Sequence, residues 1–160
     1  MTMTIIAAAV WAIALAGAGG LMTTVGPWYR GLRKPAWQPP DWAFGPAWTL
    51  ILGLAAASGV LAWRSTASTT EVMVYFGAIS FFHVLWSPLF FLWRRPDWSM
   101  VEIGFLWITL AGSMAGLYPH NPLACWLLAP FILWVTFAAR LNFEIVRLNA
   151  PFTTVAQPAP

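Results

Sequence analysis

The sequence predicts an all-α membrane protein, built as a bundle of five transmembrane helices. Its 160 residues are 60% hydrophobic and only 8% charged, whereas soluble domains average about 45–50% apolar and about 25% charged residues. This composition excludes both a soluble enzyme and a disordered chain. Five stretches also reach the roughly 20 mostly apolar residues that a helix needs to cross a bilayer.

The five predicted spans run approximately over residues 4–25, 44–63, 72–93, 98–118 and 123–148. All connections are short except the first loop, residues 26–43, whose four prolines and three tryptophans favour a stiff aromatic structure. The small residues Ala16 to Ala18 resemble a signal-peptide cleavage site. However, no Lys or Arg precedes them and the apolar run is long enough to span, so this segment is predicted to be helix one. We expect one domain over residues 1–150 and a mobile tail over residues 151–160.

Two capping-box patterns mark predicted helix starts. Ser68 and Glu71 stand at the mouth of the third span, and Ser99 and Glu102 stand at the mouth of the fourth. In this pattern the Ser side chain accepts a hydrogen bond from the backbone N–H three residues later. The side chain of the acid in turn accepts from the backbone N–H of the Ser. Glu102 is accordingly interpreted as a helix cap.

The distribution of positive charge predicts the orientation in the membrane. One side of the bundle would hold seven of the eight basic residues, Arg30, Arg33, Lys34, Arg94, Arg95, Arg140 and Arg147, and the other side only Arg64. In an inner membrane the positive-inside rule places that basic side, with the first loop and the C-terminus, in the cytoplasm. Glu144 lies between two of these arginines at helical spacing, so the three are expected to form a mutually neutralised, water-facing extension of the last helix.

Tryptophan occupies 12 of the 160 positions. Seven lie at or near span ends, where an interfacial belt explains them: Trp28, Trp37, Trp42, Trp63, Trp93, Trp98 and Trp126. Four others fall inside spans, where an indole N–H needs a partner or a cavity: Trp48, Trp86, Trp107 and Trp134. Pro46, Pro88 and Pro130 interrupt three of the same helices and open them locally. These residues indicate either a pocket for a planar ligand or ordinary packing by bulky aromatics.

His83 is the only ionisable group in the middle of a span, and it shares a helix face with Trp86 and Phe90. Three roles remain open: a hydrogen bond to a neighbouring helix, a polar contact to a ligand, or axial ligation of a haem iron. The first span also carries a stripe of small residues at every fourth position, which would serve either dimerisation or packing within the bundle: Ala8, Ala12, Ala16 and Gly20.

The sequence indicates no conventional catalytic or metal site. It contains no nucleophile and base pair, no paired carboxylates and no phosphate-cradling glycine loop. The single cysteine, Cys125, excludes a disulfide framework and a cysteine-based zinc site. The basic residues are too few and too scattered for a nucleic-acid interface.

The first loop carries the motif that is most specific to a family. The segment Trp28–Pro40, WYRGLRKPAWQPP, continues through Phe44–Thr49 and resembles the signature of the TspO/MBR family. These are the tryptophan-rich sensory proteins related to the mitochondrial translocator protein, or peripheral benzodiazepine receptor. Two further blocks agree, Leu85–Phe91 in the third span and Pro130–Asn149 in the fifth, so the resemblance extends from about residue 6 to residue 149.

The resemblance implies a five-helix membrane protein, commonly a homodimer, that binds tetrapyrroles such as protoporphyrin IX and haem as ligands. Family members also bind benzodiazepine-type drugs, and animal members bind cholesterol. Their pocket lies between the helices under the first loop. Carried over by motif position, its lining would be Tyr29, Trp37, Pro40, Phe44, Trp48, His83, Trp86, Phe90, Trp134, Phe137 and Ala138. Some bacterial members promote light-dependent breakdown of protoporphyrin through two tryptophans that correspond to Trp48 and Trp134. At the position of His83 the family usually has Asn.

Three functions therefore compete. The first is a tetrapyrrole sensor or regulator that sequesters, moves or degrades porphyrin, and the second is a photo-oxidative enzyme. The third is a transporter of porphyrins or small lipophiles, or a sterol and drug receptor without catalysis; the lack of internal repeats favours transport least. A porphyrin would need an aromatic slot for its ring and cations for its carboxylate tails. Arg30, Arg33 and Lys34 could supply those cations, or could serve only to set topology.

Overall fold

The structure, a computed structural model, describes residues 2–65 and 68–152. Its regular elements are α-helical apart from one 3₁₀ turn (Asp41–Ala43) and one π-helical turn (Pro88–Leu92). The described α-helices are α1 (Thr2–Met22), α2 (Pro27–Gly31), α3 (Phe44–Ser65), α4 (Thr69–Ser87), α5 (Pro96–Leu117), α6 (Pro122–Leu127) and α7 (Ala129–Asn149). The tail beyond residue 152, predicted to be mobile, lies outside the described residues.

Five stretches of the described chain are long and apolar enough to cross a bilayer. They are Thr2–Met22, Asp41–Ser65, Thr69–Leu92, Pro96–Leu117 and Pro122–Asn149. The predicted fold class, an all-α bundle of five spans, is confirmed. The fifth span is interrupted at Leu128, between α6 and α7, because Pro130 has no N–H with which to continue a regular helix.

One of the two predicted capping boxes is wrong. The Ser68 hydroxyl accepts a hydrogen bond from the backbone N–H of Glu71 at 3.4 Å, as the pattern predicts. Helix α5, however, begins at Pro96, so Ser99 and Glu102 lie inside it and cap nothing. Proline is well suited to the first helical position because its missing N–H would be unpaired there in any case. Glu102 is instead buried, and both of its carboxyl oxygens lack a hydrogen-bond partner among the described residues.

Buried polar contacts fix how α5 packs against α7. The Ser99 hydroxyl lies 2.9 Å from Asn142 Oδ1, and Asn142 Nδ2 donates to the carbonyl of Pro96 at 2.7 Å. Ser99 and Asn142 are 0% and 1% exposed. Buried polar groups are costly unless they are hydrogen-bonded, so this pairing specifies one alignment of the two helices.

Helix α1 is the most peripheral of the spans, with Leu15 its one buried residue. A hydrogen bond of 2.7 Å from Trp11 Nε1 to Ser80 Oγ ties it to α4. The small-residue stripe borders two spaces: Ala8, Ala12 and Ala16 line a groove between α1 and α3, and Ala16 and Gly20 border the central cavity described below.

The three charged residues near the end of α7 form ion pairs with one another, as predicted, with one positive charge in excess. One carboxylate oxygen of Glu144 accepts from the guanidinium of Arg140 at 2.8 Å. The other accepts from the guanidinium of Arg147 at 2.7 Å. The carboxylate is buried while both arginine side chains are more than half exposed. The expectation of a wholly water-facing group is therefore wrong for Glu144, which lies against the bundle beneath its two partners.

Candidate ligand-binding site

A cavity of about 420 Å³ lies beneath the first loop and is lined by residues of α1, α3, α4, α5 and α7. Its volume is within the range of about 300–1,000 Å³ that is typical of small-molecule sites. Eight of the eleven residues predicted for the lining border it: Tyr29, Phe44, Trp48, His83, Trp86, Phe90, Trp134 and Ala138.

The other three predicted lining residues, Trp37, Pro40 and Phe137, do not border the cavity. The ring of Trp37 packs against that of Phe137, with centroids 5.7 Å apart. The ring of Phe137 packs in turn against that of Trp134, with centroids 5.4 Å apart. These two rings therefore form a second layer behind the wall. Pro40 caps the 3₁₀ turn that leads into α3.

Helical spacing explains one aromatic wall. Phe44 and Trp48 are four residues apart on α3, so both present their rings on the same face. Trp48 makes edge contacts with His83 at 4.7 Å and with Trp134 at 6.2 Å. Phe44 in turn contacts Trp134 at 5.8 Å. Edge-to-face packing of this kind holds the rings at fixed angles and leaves their remaining faces available to a ligand.

The π-helical turn shapes the opposite wall. Pro88 cannot donate a backbone hydrogen bond, and the backbone N–H of Trp93 reaches its carbonyl at 2.9 Å, five residues back along the chain. Trp86 stacks on Phe90 with ring centroids 4.9 Å apart. Phe90, only 2% exposed, also contacts Tyr29 of the first loop at 6.4 Å.

Three of the four mid-span tryptophans face the cavity, but Trp107 does not. Its side chain is turned outward, 42% exposed, and its indole N–H donates to Thr136 Oγ1 at 2.9 Å. Trp107 therefore needs no cavity, because a hydroxyl on the adjacent helix satisfies its N–H. By contrast, Trp86 Nε1 is buried with no hydrogen-bond partner among the described residues.

His83 borders the cavity and is 8% exposed. It contacts the rings of Trp48 and Phe131, but within the described chain no residue hydrogen-bonds to its imidazole. Of the three roles left open for His83, the hydrogen bond to a neighbouring helix is therefore not observed among the described residues. A polar imidazole without a partner borders a largely apolar space, so a ligand could satisfy it.

The loop end of the cavity carries a small polar network around Tyr29. The Tyr29 hydroxyl donates to Asp41 Oδ1 at 3.4 Å, and Gln38 Nε2 donates to the Tyr29 hydroxyl at 3.2 Å. Burial, with a smaller contribution from the negative charge of Asp41, raises the pKa of Tyr29 above its usual value. Lys34 places its ammonium 3.8 Å from the centroid of the Tyr29 ring.

The first loop is fastened over the cavity from two sides. Asn149, at the end of α7, exchanges two hydrogen bonds of 2.8 Å with the backbone N–H and carbonyl of Arg33. Trp28 contacts Phe90 at 6.0 Å, and its ring lies 5.9 Å from the guanidinium of Arg94. The loop is thus a packed cover, consistent with the stiffness that its prolines and tryptophans predict.

Several lining residues were not anticipated from the sequence. Asp41, Ser87 and Asn142 add polar groups, and α1 contributes small residues, including Gly19 and Gly20. An acid in a proline-rich loop gives no local signal that it borders a cavity. The sequence could have predicted Asn142 as an inward-facing residue, because a side-chain amide inside an apolar span should face the protein interior.

The geometry of the cavity indicates the kind of molecule that it could hold. Within the parts of the chain that the structure describes, no group of three or more His, Cys, Asp or Glu residues could hold a metal ion. The cavity combines flat aromatic surfaces with a few polar groups that have hydrogen-bonding capacity to spare. Such a site suits a planar, largely apolar molecule.

Comparison with known proteins agrees with this architecture. The sequence model of the TspO/MBR family matches residues 5–148. The chain is 38% identical to the tryptophan-rich protein TspO of Archaeoglobus fulgidus, over 89% of this chain and 93% of that protein. It is 33% identical to the protein CrtK of Rhodobacter capsulatus, over 93% and 95% of the two chains. It is 32% identical to the human translocator protein, over 76% and 75%. With its five apolar spans, the chain is an integral multi-pass membrane protein that belongs to the TspO/MBR family.

Proposed function

We propose that the protein binds a tetrapyrrole, such as protoporphyrin IX or haem, in the cavity beneath the first loop, and acts as a membrane sensor or regulator of tetrapyrrole handling. The observation that carries this proposal is the aromatic cavity itself, walled by Trp48, Trp86, Trp134 and Phe90. The flat faces of these rings match a flat macrocycle. One curated relative is named a tryptophan-rich sensory protein, which supports a sensory role.

The polar groups within the cavity support a ligand that bears hydrogen-bond acceptors. The imidazole of His83, which has no hydrogen-bond partner among the described residues, borders the cavity, as do Asp41, Ser87 and Asn142. Leaving the imidazole unpaired costs about 1–3 kcal/mol, so a ligand that pairs with it gains affinity. Axial ligation of haem iron by His83 is the special case of such pairing.

A spectral titration tests the proposal. Purified protein in nanodiscs would be titrated with protoporphyrin IX and with haem in darkness, following tryptophan fluorescence. We expect quenching that saturates, with affinity reduced at least about tenfold in the Trp48→Phe, Trp134→Phe double variant. The matched control is Trp107→Phe with Trp126→Phe, which removes two indoles outside the cavity and should leave affinity unchanged.

Unchanged affinity in the double cavity variant would refute the assigned site, and no saturable binding of either pigment would refute the function. For haem, a change in the Soret band that is lost in His83→Ala would establish ligation by the imidazole. A Soret band that is the same in both proteins would leave His83 as a polar contact.

We further propose light-dependent oxidation of bound porphyrin as a second candidate activity, with dioxygen as the oxidant. The specific support is the contact between Trp48 and Trp134, whose ring centroids are 6.2 Å apart on one cavity wall. Illumination of the complex should then give a new absorbing product over several turnovers. Stoichiometric bleaching that damages the protein would count against catalysis.

Orientation and assembly complete the proposal. The first loop and the C-terminus would face the cytoplasm if the protein resides in an inner membrane, because seven of the eight basic residues lie on that side. We propose a homodimer as the assembled form. Cysteine accessibility at loop positions would test the orientation, and native mass spectrometry would test the oligomeric state.

A further inference from the structure

The charge at the mouth of the cavity is the opposite of what a dicarboxylate ligand would prefer. Of the described residues that border the cavity, Asp41 is the one that carries a formal charge. No described Lys, Arg or His lies within ion-pair distance of its carboxylate. Arg30 and Arg33, although they belong to the same loop, do not border the cavity.

Tyr29 connects this acid to a nearby cation. On the cavity side, Asp41 Oδ1 accepts from the Tyr29 hydroxyl and from Gln38 Nε2, both at 3.4 Å. These bonds are long, so the carboxylate keeps hydrogen-bond capacity to spare. Against the Tyr29 ring lies the ammonium of Lys34, 3.8 Å from the ring centroid. Asp41 therefore places a negative group at the cavity, whereas Lys34, like Arg30 and Arg33, does not border the cavity but is the cation that contacts Tyr29, one of its lining residues.

We propose that Asp41 and Lys34 form a charge selector at the mouth, in which Asp41 disfavours and Lys34 favours a carboxylate at the loop-facing edge of the ligand. This inference rests on the proposed function, tetrapyrrole binding, and adds a preference among tetrapyrroles. A neutral or hydrogen-bond-donating edge meets a free acceptor in Asp41. A carboxylate edge meets a like charge, which Lys34 offsets only in part.

The expected effect is modest because Asp41 is exposed to solvent. Interactions between exposed charges are screened by water and salt, so neutralising one of them should change the affinity for a dianion about two- to fivefold. The effects of the two groups should have opposite signs. A ligand without charged tails should respond to neither.

The experiment compares protoporphyrin IX with its dimethyl ester, which has the same ring without the two charges. Wild type, Asp41→Asn and Lys34→Gln would be titrated in phosphatidylcholine nanodiscs at low salt. Asp41→Asn should tighten binding of the diacid about two- to fivefold, Lys34→Gln should weaken it by a similar factor, and the ester should be unaffected. Asn at position 41 keeps an oxygen that accepts from Tyr29, so the loop retains its contact.

Glu71→Gln is the matched control, because it removes one negative charge from an exposed residue at the far end of α4. It should leave the affinities for both ligands unchanged, which separates the local charge from the net charge. Equal shifts for diacid and ester, or no shift of the diacid in either mouth variant, would overturn the selector alone. Failure of the wild type to bind either ligand would overturn the proposed function and the selector with it.

Discussion

Asn149 clamps the first loop to the end of α7, so its removal should loosen the cover of the cavity. Its Oδ1 accepts from the backbone N–H of Arg33 at 2.8 Å and its Nδ2 donates to the Arg33 carbonyl at the same distance. Each bond contributes about 0.5–1.5 kcal/mol net, and both are partly exposed to solvent. Asn149→Ala should therefore cost about 1–2 kcal/mol of loop docking, which corresponds to a 5- to 30-fold larger population of the open loop.

Hydrogen–deuterium exchange in nanodiscs measures this population. In Asn149→Ala, exchange of the Arg33 amide should rise by the factor given above. Asn149→Asp keeps an acceptor for that amide but loses the donor, so its exchange should be intermediate. Asn121→Ala is the matched control, because Asn121 makes its contacts at the other end of the bundle. Unchanged exchange at Arg33 in Asn149→Ala would show that the aromatic contacts alone hold the loop.

Three further variants test the packing and the loop chemistry. Gly116→Ala should lower the free energy of unfolding by about 1–3 kcal/mol, measured by thermal unfolding, because a methyl group there would overlap Tyr75. Gly112→Ala, with open space around it, should cause no loss of stability. Equal stabilities of the two variants would contradict this. Glu102→Leu should stabilise the bundle by roughly 1–3 kcal/mol because it removes a buried acid without a partner, and a loss of stability would show that the acid is paired. Burial raises the pKa of Tyr29 above 10.0, which favours the neutral phenol in the folded loop. Protection of the loop from exchange should thus hold below about pH 10 and fall as the pH rises through the raised pKa; Tyr29→Phe should abolish that fall, and an equal fall in both proteins would refute the assignment.

The lengths of the apolar runs were enough to predict the fold, because a bilayer imposes a minimum length on every span. The starts and breaks of helices were predicted less well. At α5 two start signals compete, and Pro96 at the first helical position prevailed over the capping box at Ser99. The sequence also could not place the break at Leu128, since a proline inside a span can either kink the helix or divide it.

The candidate site was predictable where a residue's role follows from its own helix. Trp48 and Trp134 face inward with their helices, and the family motif supplied Tyr29 and Phe44. Hydrogen-bond partners on other helices were not predictable. The hydroxyl of Thr136 accepts from the indole N–H of Trp107, for example, but the two residues lie on different helices, and the sequence around either one does not indicate the contact. The same reason explains why the place of Asp41 at the cavity mouth emerges only from the folded chain.

The wide turn at Pro88–Leu92 shifts the phase of the helix that contains it. The turn has one more residue than a regular turn, so side chains after it are rotated relative to those before it; within the turn, Phe90 and Phe91 both contact Tyr29. Relatives in which this stretch is one residue shorter should form a regular helix and retain only one of these two aromatic contacts. A single-residue gap in this turn would then indicate a different contact between the turn and the first loop. A gap within α4 would instead disrupt the whole span.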